Sequence, residues 1–100
     1  MFKVLFSIQY EIDVTKRDEY LMLARELKTL LKADGLENYA VYEVKGKQNH
    51  FEELYTFNSL EAYENFDDNQ NERIGILLNK LSSMVKDNST KYTTLTEVIG

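Results

Sequence analysis

A chain of 100 residues in which 43% of the side chains are hydrophobic has the right size for one hydrophobic core, so we expect a single domain over residues 1–100. Its 12 basic and 17 acidic side chains give a net charge of −5, which opposes binding to nucleic acid or to an anionic membrane surface. The sequence has no cysteine, which excludes disulfides, thiolate metal sites and cysteine nucleophiles. No apolar run approaches the ~20 residues that cross a bilayer, and the chain begins with strand-like sequence rather than a leader; we therefore expect a cytoplasmic protein with no membrane partner.

The N-terminal third of the sequence changes from strand to helix periodicity. Apolar residues two positions apart predict a first strand over residues 3–12. These residues are Val4, Phe6, Ile8, Tyr10 and Ile12. Apolar spacings of three and four residues then predict a helix from Lys16 to Asp34. Thr15 is the expected N-cap, and Gly35 is expected to end the helix in the left-handed conformation.

The middle of the chain predicts a hairpin followed by two helices. Strands are expected over residues 39–45 and 50–57, and the turn Gly46-Lys-Gln-Asn49 between them contains a glycine and an asparagine that suit positive φ angles. Asn58 is the expected N-cap of a short helix, and a longer amphipathic helix is expected to begin near Asn71.

The order of the elements predicts the fold. Residues 91–99 are rich in β-branched side chains and predict a final strand. The order is then strand, helix, strand, strand, helix pair, strand. Right-handed crossovers place the helices on one face of a four-stranded antiparallel sheet, which is the ferredoxin-like βαββαβ arrangement of the α+β class.

The second face of this sheet is expected to be covered by another molecule. Tyr39 and Tyr42 lie on opposite faces of the second predicted strand, and Leu54 and Tyr55 lie on opposite faces of the third, so both faces carry large side chains. Because large apolar patches are uncommon on monomers, we expect a homodimer that forms through the sheet face. The alternative is a monomer that tolerates exposed aromatic side chains singly.

The stretch Phe51-Glu-Glu-Leu-Tyr-Thr-Phe-Asn-Ser-Leu-Glu-Ala-Tyr63 consists of a strand ending in an aromatic residue, a polar cap and an amphipathic helix. In this stretch, and over nearly its whole length, the chain resembles the dimeric α/β-barrel superfamily and its antibiotic-biosynthesis monooxygenase-like group. The resemblance implies two ferredoxin-like subunits with facing sheets. It also implies a cofactor-independent monooxygenase-like or small-ligand-binding function, since members oxidise polyphenols without a cofactor.

Other members of that group degrade haem with an asparagine, a tryptophan and a histidine. The corresponding positions here are Ser7 and Phe57, and residues 58–88 contain no histidine. We therefore expect no haem and no other cofactor. A single histidine also lacks the spacing of a transition-metal site, so no metal is expected.

Polar and aromatic residues within the predicted strands form the candidate pocket for a small aromatic or polyketide-like ligand. The candidate residues are Ser7, Gln9, Tyr42, His50, Glu53, Tyr55 and Phe57. Ser7 and Gln9 share one face of the first strand, and Glu53, Tyr55 and Phe57 share one face of the third. The sequence leaves open whether these two faces coincide. Tyr10 is a further candidate wall residue, although tyrosines at such positions also serve as core or dimer contacts.

Three titratable residues in the third strand have competing interpretations. His50 is a candidate general base because of its residue type, but it lies beside the hairpin turn, where solvated histidines are common. The adjacent residues Glu52 and Glu53 give no indication of the distinct environments that separate an acid from a base.

Two other functions compete with that of a monooxygenase-like protein. A non-catalytic dimerisation or stress-response module would use the same fold without a reaction. RNA binding through sheet aromatics such as Phe51 and Tyr55 is disfavoured by the acidic charge and by the missing basic-glycine signature. The sequence assigns no catalytic residue, so whether the chain is an enzyme stays open.

Overall fold

The computed structural model describes residues 2–68 and 70–100, which form four strands and three helices. A 3₁₀ turn at Val14–Lys16 leads into the first helix. The elements are β1 (Val4–Glu11), α1 (Arg17–Leu30), β2 (Leu36–Glu43), β3 (His50–Phe57), α2 (Leu60–Glu64), α3 (Glu72–Met84) and β4 (Lys91–Thr96). None of the helices in this part of the chain is long and apolar enough to cross a bilayer.

The four strands form one antiparallel sheet in the order β2-β3-β1-β4. The two central strands β1 and β3 pair over their full length, from Val4 opposite Phe57 to Glu11 opposite His50. The predicted ferredoxin-like βαββαβ fold is therefore confirmed.

The helices divide the sheet into a helix-covered face and a helix-free face. Burial alternates strictly along β3, and Phe51, Glu53, Tyr55 and Phe57 are the buried residues. Tyr20 of α1 packs on Phe51 with ring centroids 4.5 Å apart, so this set points towards the helices. The alternate residues of β3 therefore point to the helix-free face.

The core lies between the helix-covered face and the helices. The most deeply buried apolar residues come from both the sheet side and the two long helices: Ile12, Tyr20, Leu27, Tyr55, Phe57, Ile74 and Met84. At its rim, Arg73 of α3 donates to Glu26 of α1 at 2.5 and 2.7 Å, an ion pair that joins the two long helices.

The ends of α1 differ from the prediction. Thr15 does not cap α1: the N-cap of the helix is Lys16, which makes no side-chain capping hydrogen bond. Asp13 caps the preceding 3₁₀ turn instead, where its carboxylate accepts from the Thr15 backbone N–H at 2.9 Å. The helix ends at Leu30 rather than Asp34, because Leu31 takes an extended backbone that buries its side chain. Gly35, with φ of 82°, shapes the turn into β2 instead of closing the helix.

Three further boundaries also differ. Ser59 rather than Asn58 caps α2, accepting from the Ala62 backbone N–H. β2 runs over residues 36–43 rather than 39–45, because its first residues pair with the end of β3. β4 stops at Thr96 rather than residue 99, since its ladder with β1 ends at the Val4–Thr96 pair.

Other local predictions are confirmed. β3 spans the predicted residues 50–57, and Gly46 and Asn49 of its hairpin have φ angles of 85° and 67°. Asn71 is the N-cap of α3, where its side-chain oxygen accepts from the Ile74 N–H at 2.9 Å.

Candidate functional site

An open cleft of about 510 Å³ lies between the helix-covered face and the C-terminal end of α3. Its walls are mainly apolar and aromatic, as is usual for small-molecule sites. The strands contribute Phe6, Ile8, Tyr10, Tyr55 and Tyr92, and α3 and the residue after it contribute Leu78, Leu81 and Val85. We call this space the sheet–α3 cleft.

The floor of the sheet–α3 cleft holds a buried carboxyl group. Glu53 is 2% exposed and lies in β3 opposite Ile8 of β1 and Val41 of β2, so it occupies the middle of the sheet. The Tyr39 hydroxyl donates to Glu53 Oε1 at 2.7 Å. The Glu53 carboxyl group is therefore hydrogen-bonded to Tyr39 and also lines the cleft.

Burial raises the pKa of Glu53 above its ordinary value, because a desolvated carboxylate is costly. Hydrogen bonds from Tyr39 and Tyr10 favour the ionised form and lower the pKa in part, while the nearby Asp68 carboxylate raises it. A carboxyl group whose pKa lies closer to neutrality is suited to take up or release a proton at physiological pH.

Tyrosine hydroxyls continue the polar contacts behind Glu53. The Tyr10 hydroxyl lies 2.7 Å from the hydroxyl of Tyr20, a completely buried residue of α1. Burial raises the pKa of Tyr10 and Tyr39 as well, and the charge of Glu53 adds to this shift. These phenols therefore stay protonated and act as hydrogen-bond donors rather than as bases.

The mouth of the cleft is polar and is formed by the connection between α3 and β4. The connection contributes Lys86, Asp87, Asn88 and Thr90, and Ser82 of α3 and Asp68 are the other polar residues that line the cleft besides Glu53. Asn88 has φ of 61°, which sharply turns the chain after the helix. Lys86 is held at the rim by an ion pair of 3.0 Å between its Nζ and Glu11 Oε2.

The structure divides the seven predicted pocket residues between the two faces of the sheet. Glu53, Tyr55 and Phe57 lie on the helix-covered face, and the first two line the cleft. Ser7 and Gln9 lie on the helix-free face, because they pair with Leu54 and Glu52, the β3 residues that point to that face. Tyr42, opposite Glu52, and His50 lie there too. The seven residues therefore do not line one pocket within the chain, because strand parity separates them.

A polar network runs across the helix-free face. The Ser7 hydroxyl donates to Glu52 Oε2 at 2.6 Å, and Gln9 Nε2 donates to Oε1 at 3.1 Å. At its edge, His50 Nε2 lies 3.6 Å from Glu11 Oε1. His50 is thus directed away from the cleft and paired on the opposite face.

Glu52 and Glu53 occupy different environments, a difference that their adjacency in the sequence did not indicate. Glu53 is in the core and Glu52 is half-buried among donors on the helix-free face. The reason is the two-residue period of a strand, which sends neighbours to opposite faces.

The α3 wall and the mouth were not found from the sequence. The spacing of Leu78 and Leu81 predicts only that they belong to the apolar stripe of a helix. It does not indicate that this stripe lines a cleft. The alternation of Phe6, Ile8 and Tyr10 in β1 was the available signal, since it places these residues on one face.

No histidine lines the sheet–α3 cleft, so the cleft offers no imidazole ligand to a haem iron or another metal ion. The one histidine of the sequence, His50, lies on the helix-free face and cannot reach the cleft. Within residues 2–68 and 70–100, no group of three histidine, aspartate or glutamate side chains is arranged to hold a metal ion.

Comparison with known proteins finds similar folds among solved structures. No protein-family model matches the sequence. No curated protein matches it either.

Among solved structures, a Deinococcus radiodurans protein named after antibiotic biosynthesis monooxygenases is similar, with a TM-score of 0.76, 16% identity, and 97% of this chain and 94% of that one covered. A Nitrosomonas europaea protein with the same designation has a TM-score of 0.78 at 5% identity, covering 96% and 90% of the two chains. A conserved protein from Methanosarcina mazei has a TM-score of 0.76 at 17% identity, covering 95% and 92%. At these identities the likeness shows a shared fold: as the resemblance implied, the chain has the ferredoxin-like fold of solved proteins named after antibiotic biosynthesis monooxygenases.

Proposed function

We propose that the chain is a cofactor-independent, monooxygenase-like protein that binds a small hydroxylated aromatic compound in the sheet–α3 cleft and forms a homodimer through the helix-free face. The observation that carries the proposal is Glu53, a buried carboxyl group with a raised pKa on the floor of an apolar cleft. Buried titratable groups in clefts are common at functional sites. The names of the structural neighbours support the choice of reaction class.

In the proposed reaction, Glu53 acts as the general base. It accepts the proton of a phenol, and the resulting phenolate is electron-rich enough for its ring carbon to react with dioxygen. One oxygen atom forms a C–O bond and becomes the second carbonyl of a quinone. The O–O bond and the ring C–H bond at that carbon then break, and the second oxygen atom leaves as water with the ring hydrogen and the phenolic proton that Glu53 returns. Phenol and dioxygen thus give quinone and water. The ring is oxidised and dioxygen is reduced, with no other reductant.

The cleft supports this role through shape and charge. Phe6, Tyr55 and Tyr92 offer aromatic surfaces, and Phe6 is stacked on Tyr92 with centroids 6.2 Å apart. The carboxylates of Glu53 and Asp68 repel anionic ligands, so a neutral phenol is favoured over an aromatic acid.

The function is tested by measuring the oxidation of a panel of naphthols and hydroquinones. Dioxygen uptake and quinone absorbance are the two readouts. Removal of a general base slows such reactions by about 10²- to 10⁴-fold, and we expect this of Glu53→Gln. Glu52→Gln, which changes a carboxylate on the opposite face, is the matched control and is expected to retain activity. Equal rates for the two variants would refute the role of Glu53.

The homodimer is supported by the composition of the helix-free face. It presents Leu5, Leu54 and Leu95 from three strands and Tyr42 from a fourth. Leu95 is 51% exposed and Tyr42 is 53% exposed. A two-fold axis would bring this apolar surface against itself. Sedimentation equilibrium at micromolar concentration is expected to give the dimer mass, and a monomer mass would contradict this part of the proposal.

A non-catalytic dimerisation module is the second candidate. It is favoured by one observation, that Tyr39 already satisfies Glu53, as expected of a structural buried carboxyl group. A thermal-shift screen with quinones, polyphenols, haem and short acyl compounds separates the two, because only a ligand that binds the folded chain raises its melting temperature. Stabilisation by polyphenols supports the enzyme, and silence across the panel supports the module.

A further inference from the structure

We propose that the groove between α1 and the edge strand β2 binds a small amphipathic carboxylate, that is, an apolar body with one carboxylate group. The groove has a volume of about 350 Å³. It shares no lining residue with the sheet–α3 cleft, and it is independent of the reaction proposed there. We call it the α1–β2 groove.

The base of the α1–β2 groove is apolar. Leu21 and Ala24 of α1 face Val41 of β2 and Phe51 of β3 across it. Phe51 is buried, whereas Leu21 and Val41 are half-buried and keep surface available to a ligand. Such a base suits the hydrocarbon or aromatic part of a ligand.

Helix periodicity brings cations to the same groove. Arg17, Arg25 and Lys28 lie near the apolar residues of the stripe, because positions four, seven or eight apart share one side of a helix. One carboxylate, Glu43, accompanies these three basic residues. The groove is therefore locally basic on a chain whose net charge is −5.

Glu43 does not oppose an anionic ligand strongly, because its charge is already matched. Arg17 donates from Nη1 and Nη2 to its two carboxylate oxygens at 2.6 and 2.9 Å, and the Asn49 backbone N–H donates to it at 2.7 Å. The hydrogen bond from Arg17, and after it that from Asn49, lowers the pKa of Glu43 to about 2. The Arg17 guanidinium also lies over the Phe51 ring, 5.4 Å from its centroid, which fixes this end of the groove.

Arg25 is the cation left for a ligand. Lys28 is held by the Tyr39 carbonyl, to which its Nζ donates at 2.6 Å. Arg25, by contrast, is exposed and makes no hydrogen bond or ion pair with any residue that the structure describes. A guanidinium presents a planar fork that matches the two oxygens of a carboxylate. The Arg25 guanidinium beside the apolar floor of the groove is therefore complementary to a ligand with one carboxylate group and an apolar body.

The probe for this site is 2-naphthoate, compared with the neutral 2-naphthylmethanol, in titrations followed by methyl NMR. We expect saturable shifts at the methyl groups of Leu21, Ala24 and Val41. The methyl groups of Leu78 and Leu81 report on the sheet–α3 cleft in the same spectra. Loss of the charge-assisted pair is expected to make 2-naphthylmethanol bind about tenfold more weakly than 2-naphthoate.

Arg25→Gln tests the assigned cation, and Lys47→Gln in the hairpin is the matched control, because each removes one exposed positive charge. Arg25→Gln is expected to weaken 2-naphthoate about tenfold and to leave 2-naphthylmethanol unchanged, and Lys47→Gln is expected to change neither. The proposal is overturned if 2-naphthoate shows no saturable shift, if its shifts are confined to Leu78 and Leu81, or if the two variants bind it equally. None of these outcomes depends on Glu53 chemistry.

Discussion

Glu52 and Glu53 are neighbours in β3, yet their side chains lie on opposite faces of the sheet and in different surroundings. Glu53 is enclosed by helices and tyrosines, and burial raises its pKa. Glu52 is half-buried and accepts hydrogen bonds from Ser7 and Gln9. The comparison shows that one strand can hold a desolvated carboxyl group on one face and a half-buried polar network on the other, with only residue parity to separate them.

The largest expected difference between the faces is in packing. Leu27, which is 1% exposed beneath the helix-covered face, should cost about 2–5 kcal/mol of unfolding free energy when changed to alanine. Leu95→Ala on the helix-free face should cost less than about 1 kcal/mol in the monomer, since Leu95 is 51% exposed. Urea unfolding at two protein concentrations measures both, because a contribution from association depends on concentration. Equal losses in the monomer would mean that the two faces are equally packed.

A charge placed on the helix-free face should break the proposed dimer. Leu54 lies centrally on that face, between Ala40 of β2 and Ser7 of β1. Leu54→Lys would bury an unpaired ammonium group at the interface, so we expect the dissociation constant of the dimer to increase by about 100-fold or more. Leu60→Lys on α2, where the leucine is 51% exposed, is the control and should leave the mass unchanged. Analytical ultracentrifugation is the measurement, and an intact Leu54→Lys dimer would place the interface elsewhere.

The fold could be predicted because its signals are local. The alternation of Val4, Phe6 and Ile8, the hairpin turn at Gly46 and Asn49, and the stripes of the two long helices each specify an element with short-range chemistry. Their order then leaves few arrangements of the sheet. Helix ends were less predictable: Thr15 was the expected N-cap, but α1 is preceded by a 3₁₀ turn that Asp13 caps, and the residue pattern does not indicate that turn.

The site could be predicted only in part, because it depends on register between strands. The sequence indicated that Ser7 and Glu53 are polar residues within apolar strands. Whether they share a face depends on the pairing of Ser7 with Leu54, which joins residues 47 positions apart. The mouth at Lys86 and Asn88 depends in turn on where α3 ends relative to β4. Neither relation is encoded in a local pattern.

The two carboxylates should also differ in their effect on stability across pH. Between the ordinary glutamate pKa of 4.5 and the raised pKa of Glu53, the folded chain keeps a proton that the unfolded chain has lost. The free energy of unfolding therefore falls as pH rises through this interval. Glu53→Gln should remove that fall, and Glu52→Gln should retain it. Glu43, whose pKa is lowered to about 2, changes the free energy of unfolding only below pH 4.5. Its contribution is the same in the wild type and in both variants.

Urea unfolding as a function of pH measures this difference, and the infrared band of a protonated carboxyl group provides a direct check. The band should persist above pH 4.5 in the wild type and in Glu52→Gln, and should be lost in Glu53→Gln. A parallel pH profile for wild type and Glu53→Gln would show that Glu53 titrates as an ordinary exposed carboxylate.

The smallest effect is expected from the polar network of the helix-free face. Ser7→Ala removes one donor from Glu52, but Gln9 still donates to that carboxylate and solvent reaches it in the monomer, so the loss should be about 1 kcal/mol. Ser82→Ala is the control for loss of a hydroxyl group, because Ser82 is an exposed residue of α3 whose hydroxyl donates to the Leu78 carbonyl. If the face is buried in a dimer, water can no longer replace Ser7, and the same change should cost more at high protein concentration than at low. A cost that does not vary with concentration would indicate that the network stays solvated and lies outside the interface.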